Sequence, residues 1–197
     1  MSEVALIRCE TYDFAEVKEA VRRGIELIGG IDQFVKPSEK ILLKPNLLSA
    51  DPPEKCVTTH PSVFRAVAEV FLQGQIQLTW GDSPAMGGMI RTAKKAGILE
   101  IAEQLKLEAA DFTNGESVFY EQGTQNKKFV IAKGVLDCDG IVSLPKLKTH
   151  GLERMTGSIK NQFGCVPGAL KGEYHVKIPD AHSFGKMLVD LNNYLKP

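Results

Sequence analysis

Short apolar runs alternate along this chain with longer stretches in which apolar residues recur at helical spacing. Short stretches rich in apolar residues predict strands at residues 4–7, 41–43, 76–80 and 141–144. The intervening stretches predict helices at 14–28, 61–74, 89–96, 98–105 and 184–195. This alternation favours an α/β fold, with a mostly parallel sheet covered by helices on both faces.

Two segments depart from the alternation. Residues 118–120 and 129–132 predict a small β-hairpin insertion, joined by a polar turn at 123–127. Residues 146–177 predict mostly loop with weak helical pieces. A length of 197 residues fits one domain, so we expect a single α/β domain over 1–197.

The composition disfavours several classes of protein. Lys plus Arg and Asp plus Glu number 24 each, and this neutral balance makes nucleic acid an unlikely partner. No apolar run approaches the roughly 18 residues of a membrane span, and the N-terminus lacks the pattern of a secretory signal. We therefore expect a cytoplasmic protein with no membrane partner.

The cysteines do not form a recognisable cofactor motif. Cys9, Cys56, Cys138 and Cys165 are too far apart in sequence for a C-x-x-C pair. An iron–sulfur or zinc site built from cysteine alone is therefore not expected, and neither is a disulfide framework. No H-x-x-x-H spacing supports a metal site either, so the sequence leaves the cofactor unknown.

Polar residues follow three of the predicted strands. Lys44 and Asn46 follow the second strand, Asp82 and Ser83 follow the third, and residues 146–150 follow the last. Parallel sheets bind ligands beyond the carboxyl ends of their strands. If these strands are neighbours, the three polar groups meet at one rim.

Positive charge accumulates between residues 143 and 177, which contain six lysines and arginines but only two glutamates. The stretch 157–161 combines glycine, serine, lysine and asparagine, which suits an anionic ligand. It lacks the P-loop spacing, and no G-x-G-x-x-G follows a strand. An anion pocket and a solvated basic loop both remain open as interpretations.

The candidate catalytic residues are His150 and Asp82. His150 suits acid–base chemistry near neutral pH, and Asp82 could orient it, bind a divalent cation or simply form a turn. A third candidate, His60, directly precedes the helix predicted at 61–74. The alternative to a functional role for His60 is that it caps this helix. The candidate ligand-binding residues are Lys44, Asn46, Ser83, Lys146, Lys148, Ser158, Lys160 and Asn161.

Five short motifs occur in a fixed order: KPN at 44–46, TTHP at 58–61, GDSP at 81–84, LPKLKTH at 144–150 and TGSIKN at 156–161. With these motifs the chain resembles the prokaryotic family catalogued as domain of unknown function 362, from about Ile41 to the C-terminus. Many members carry a ferredoxin-like cysteine-rich segment and are described as iron–sulfur proteins. This sequence has no such segment. The resemblance also implies a further strand and a second half, so we expect the chain to be the N-terminal portion of a longer family domain, or a short member.

Two functions from different classes fit these features. The first is binding of a small anionic metabolite at the rim of the sheet, with catalysis on it as an open question. The second is a non-enzymatic redox accessory module that docks a ferredoxin-like partner or domain through its basic rim. Salt separates them, because exposed charges are screened more strongly than a small anion in a closed pocket.

Overall fold

The computed structural model describes residues 3–168 and 170–197. The strands are β1 (Lys40–Pro45), β2 (Gln77–Trp80), β3 (Glu108–Ala109), β4 (Gly115–Phe119), β5 (Lys128–Ala132), β6 (Gly140–Leu144), β7 (Lys148–His150) and β8 (Arg154–Thr156). The α-helices are α1 (Phe14–Leu27), α2 (Pro61–Phe71), α3 (Met89–Lys95), α4 (Ile98–Gln104), α5 (Lys133–Leu136), α6 (Ser158–Asn161), α7 (Leu170–Lys177) and α8 (Ala181–Leu195). Short 3₁₀ turns cover Ile31–Gln33, Pro53–Lys55, Leu72–Gly74 and Gln162–Cys165.

A four-stranded parallel sheet lies at the centre, in the order β3-β2-β1-β6. Successive side chains of β1 point to opposite faces. Ile41 and Leu43 join a core formed largely with α2, α3 and α4, whereas Leu42 joins a core formed with β5, α5 and α8. The predicted α/β fold, with a parallel sheet and helices on both faces, is confirmed.

The predicted hairpin is also confirmed, because β4 and β5 pair in antiparallel fashion. A carboxylate ties its turn to α8. Asp190 accepts hydrogen bonds from the backbone N–H groups of Thr124, Gln125 and Asn126, at 2.7–3.0 Å. Asp190 is buried, so these bonds compensate the loss of water around its charge.

The predicted strand at residues 4–7 is wrong. Val4 and Leu6 are 88% and 95% exposed, and the segment pairs with no strand. Ile7 instead lies close to Gly24 of α1. An apolar run becomes a strand only where a sheet edge accepts it, and composition alone does not show whether one does.

The segment predicted as mostly loop contains a second antiparallel hairpin, in which β7 pairs with β8. Its helical pieces are the short α6 and the two-turn α7. The three-residue strands are too short to show an alternating pattern, so no pattern of side chains predicts them. This hairpin carries Lys148 and His150.

Candidate functional site

The strand order brings the three polar groups to one rim. β2, β1 and β6 are adjacent, and all three are parallel. The segments after their carboxyl ends therefore meet at the same edge of the sheet.

A buried ion pair forms the floor of this rim. The Lys44 Nζ lies 2.7 Å from the Asp82 Oδ1, and both side chains are almost completely buried, at 0% and 3% exposed. The Asp82 Oδ2 accepts a hydrogen bond of 2.7 Å from the Leu47 backbone N–H. A Cβ at Gly164 would lie 1.9 Å from the Asp82 Oδ1, so only glycine fits against the pair.

Beside the floor, asparagine side chains connect the strand ends. The Asn161 Nδ2 donates to the Lys44 carbonyl at 3.3 Å and to the Ser143 Oγ at 3.0 Å. The Asn46 Nδ2 donates to the Asn161 Oδ1 at 3.2 Å, and the Lys148 Nζ donates to the Asn46 Oδ1 at 2.6 Å. These bonds join β1, β6, β7 and α6 and fix the position of both amides.

Ser83 is held by a lysine on α7. The Lys171 Nζ donates to the Ser83 carbonyl, to the Ser83 Oγ at 2.9 Å and to the Pro84 carbonyl at 3.1 Å. The Gly168 N–H also donates to the Ser83 Oγ, at 3.0 Å. All three N–H groups of the lysine therefore have neutral acceptors, and its positive charge remains uncompensated by a contacting carboxylate.

His150 is oriented by its own hairpin. Its Nδ1 accepts a hydrogen bond of 3.1 Å from the Glu153 backbone N–H, so the neutral ring carries its proton on Nε2. Burial lowers the pKa of His150 most, and repulsion by the protonated forms of Lys160, His175 and Lys148 lowers it further. The ring is therefore neutral at pH 7 and has an Nε2–H group to donate.

His175 is fixed by aromatic packing. Its ring stacks on Phe184 at 4.5 Å between centroids and meets the edge of Phe163 at 5.6 Å. Burial, and then the charge of Lys160, lower its pKa. Both imidazoles are thus rigid and uncharged near neutral pH.

These groups enclose a cleft of about 350 Å³, within the size range of ligand pockets. Its lining combines polar, charged and small residues with the apolar side chains of Leu47, Leu48 and Phe163. The polar and charged groups include Asn46, Ser83, His150, Lys160, Lys171 and His175.

Lys160 is the cation of the cleft with no partner. Within residues 3–168 and 170–197 its ammonium makes no hydrogen bond or ion pair, and its Nζ lies 5.9 Å from the centroid of the Phe163 ring. Burial lowers the pKa of Lys160, although the charge of Glu153 raises it. An incoming anion would therefore meet an ammonium that no carboxylate contacts among the described residues.

Two neighbouring lysines add to the positive field. Burial, and then the charge of Lys160, lower the pKa of Lys148 to about 8. Burial also lowers the pKa of Lys171 to about 8, even though Asp82 favours its charged form. Several cations crowded in one place with few carboxylates are typical of a site for an anion.

The structure brings some of the sequence-predicted site residues into this cleft and not others. Its lining includes six of them: Asn46, Asp82, Ser83, His150, Lys160 and Asn161. Lys44 lies beneath the floor, and Lys148 is directed at Asn46 and the Val57 carbonyl. Neither lysine lines the cleft.

Two further candidates lie elsewhere. Lys146 donates to the Tyr12 hydroxyl at 2.9 Å, and the Tyr12 ring stacks on His60. Ser158 is exposed and lines a different, open cavity. The His60 Nδ1 accepts a hydrogen bond from the Ser62 N–H and so caps α2, as the helix-cap interpretation predicts.

Asp82 is not placed where it could orient His150. Among the described residues, its carboxylate bonds Lys44 and the Leu47 N–H but not His150. This geometry suits a residue that positions the rim.

Lys171 and His175 also line the cleft, although neither follows a predicted strand. They lie four residues apart on α7 and so share one face of that helix. The i,i+4 spacing of a lysine and a histidine is the signal that could have identified them.

The described residues contain no group of three or more His, Cys, Asp or Glu side chains that could hold a metal ion. Cys9 and Cys56 are exposed, Cys138 is half-buried and Cys165 is buried, all as free thiols. Within residues 3–168 and 170–197, no helix has the length and apolar character needed to cross a membrane.

Comparisons with known proteins identify a family and a relative that are similar to this chain. The model of the family described as domain of unknown function (DUF362) matches residues 41–197. The thylakoid-associated protein sll1697 of Synechocystis sp. is 34% identical over 198 residues, which cover 100% of this chain and 61% of that protein. The chain thus spans about three fifths of the length of this curated relative. No solved structure matches this chain at a significant level.

Proposed function

Because the chain belongs to the DUF362 family, whose description specifies no activity, we propose its function from the site: the cleft binds a small anionic metabolite. The observation that carries the proposal is Lys160, a half-buried ammonium with no partner among the described residues. A carboxylate or phosphate oxygen would supply the missing charge and hydrogen bonds.

The neighbouring groups suit the same ligand. The Nε2–H of His150 has no acceptor among the described residues, and Lys171 contributes positive charge without giving up its bonds to Ser83. Because the ring nitrogen Nδ1 is already an acceptor for Glu153, His150 would act on a bound anion as a donor through Nε2. A neutral imidazole does not give up its remaining ring proton near pH 7, so this hydrogen bond would hold the anion rather than protonate it.

The experiment measures the melting temperature of the protein over a concentration series of inorganic phosphate and of acetate, at constant ionic strength. Binding to the folded state raises the melting temperature as ligand concentration exceeds the dissociation constant. Lys160→Met removes the charge and keeps the aliphatic stem, so the shift should disappear. Lys127→Met, at an exposed lysine of the β4–β5 turn, is the matched control and should keep the shift.

An equal shift in wild type and Lys160→Met would contradict the proposal. Docking of a ferredoxin-like partner remains the alternative, and salt distinguishes it. A complex held by exposed charges should weaken steeply between 0.1 and 1 M salt, where the Debye length falls from about 10 to about 3 Å. A small anion in the cleft should be less sensitive.

The cytoplasmic location remains a prediction. The Synechocystis relative is named for association with thylakoids, so attachment to a membrane surface is the competing location. Fractionation of cell extracts decides between them: cytoplasmic protein stays in the supernatant after membranes are removed, whereas an attached protein sediments with them.

A further inference from the structure

A second cavity adjoins the cleft. It has a volume of about 550 Å³ and shares Asp82, Ser83, Ala85 and Gly168 with the cleft. Its other lining residues come from the turn after β2, from the first two residues of α3 and from the segment 110–113 after β3. The two cavities therefore lie side by side along the rim of the sheet, and together they are called the trough.

The second cavity differs from the cleft in charge. Among the described residues, its lining includes no lysine, arginine or histidine. Its two carboxylates already have partners: Asp82 pairs with Lys44, and Asp111 accepts hydrogen bonds from the backbone N–H groups of Thr113 and Asn114. A ligand anion would find no positive group there.

The largest side chains that line this cavity are apolar. Met86 and Ile90 are 75% and 49% exposed, whereas Phe112 is buried and Met89 is partly buried. Methionine is flexible and polarisable, so it adapts to apolar groups of varied shape. Exposed hydrophobic residues gathered beside a polar cleft are typical of a ligand-binding surface.

The turn before α3, which carries Met86, is anchored in place. Gly87 and Gly88 have φ angles of +89° and +74°, which favour glycine. The Ala85 N–H donates to the Leu48 carbonyl at 3.1 Å, and the Thr92 hydroxyl donates to the Met86 carbonyl at 3.4 Å. The turn that carries Met86 is therefore a folded part of the rim.

We propose that the ligand is an amphiphilic anion, whose carboxylate or phosphate group binds at Lys160 and whose apolar body, of about the size of a phenyl ring, occupies the second cavity. This inference rests on the proposed function, because the anionic group fixes the ligand in the trough. It adds that the apolar body supplies affinity and selectivity.

The test compares two matched pairs of probes by calorimetric titration: inorganic phosphate with phenyl phosphate, and acetate with benzoate. Burial of a phenyl ring should make the aromatic member bind about tenfold to a hundredfold more tightly. The two pairs separate a site for phosphate from a site for carboxylate.

Met86→Ser and Ile90→Ser should reduce this gain at least about threefold, because each removes apolar contact area. Both variants should leave the affinity for inorganic phosphate or acetate unchanged. Leu27→Ser, at an exposed leucine on α1, is the control and should change neither. Because all three side chains are exposed, these substitutions should leave the fold intact.

The outcomes separate the two proposals. Binding of inorganic phosphate or acetate with no gain from the phenyl group overturns the inference and leaves the proposed function standing. A gain that persists in Met86→Ser and Ile90→Ser places the apolar body elsewhere and also overturns it. Failure of all four probes to bind contradicts the proposed function and the inference together.

Discussion

The buried ion pair between Lys44 and Asp82 should be among the most sensitive positions for stability. Lys44→Met removes the ammonium but keeps an unbranched apolar chain of similar length. It leaves the Asp82 carboxylate buried, with the Leu47 N–H as its remaining hydrogen-bond donor among the described residues. A buried charge without its partner is strongly destabilising.

The expected loss is about 3–5 kcal/mol in the free energy of unfolding, which is the usual cost of breaking a buried pair on one side. For a chain of this size each kcal/mol lowers the melting temperature by about 2–4 °C, so the loss corresponds to about 6–20 °C. Lys44→Met/Asp82→Asn removes both charges and leaves an amide oxygen to accept from Leu47. The double variant should therefore lose less than the sum of the two single variants.

Urea denaturation monitored by circular dichroism measures these differences directly. Lys177→Met is the matched control, because Lys177 pairs with Glu173 on the exposed surface of α7, and its loss should be far smaller. A loss below about 1 kcal/mol for Lys44→Met would refute the reasoning, since it would mean that the Asp82 charge is well solvated without its partner.

Three further predictions concern the rim and the hairpin. Gly164→Ala should cost about 1–3 kcal/mol, because the new Cβ collides with Asp82, whereas Gly151→Ala should be nearly neutral; urea denaturation compares them. Asp190→Ala should cost at least about 2 kcal/mol at pH 7. Burial raises the pKa of Asp190, but the hydrogen bonds from the N–H groups of the hairpin turn outweigh burial and lower the pKa. The stabilisation by Asp190 is therefore present above about pH 4 and is lost as the pH falls through the lowered pKa. Denaturation measured over a pH series checks this sign. Sulfate affinity should fall as the pH rises through about 8, where Lys171 loses its charge; an affinity that stays constant to pH 9 by calorimetry would contradict this.

Much of the fold could be predicted because periodicity reports burial. Short stretches of three to five residues, rich in apolar side chains, marked β1, β2 and β6, and helical spacing marked α1, α2 and α8. The failures share a cause. The run at 4–7 has the composition of a strand but no partner, and the three-residue strands β7 and β8 pair without a visible pattern. Pairing is a tertiary property.

The site was only partly predictable for a similar reason. The strand-end rule found Asn46, Asp82 and Ser83, because neighbouring parallel strands place those ends together. It could not show that Lys44 lies beneath the rim or that Lys146 turns toward Tyr12, since both depend on side-chain direction. Residues on α7 were missed because a helix distant in sequence from the three strands packs over their ends.

The most direct test of the anion site is an anomalous difference map from crystals of wild type and Lys160→Met soaked in selenate, an oxyanion with a strong anomalous signal. We predict a peak in the cleft within hydrogen-bond distance of the Lys160 Nζ and its loss in the variant. A cleft without a peak, or a peak of equal height in Lys160→Met, would contradict the account.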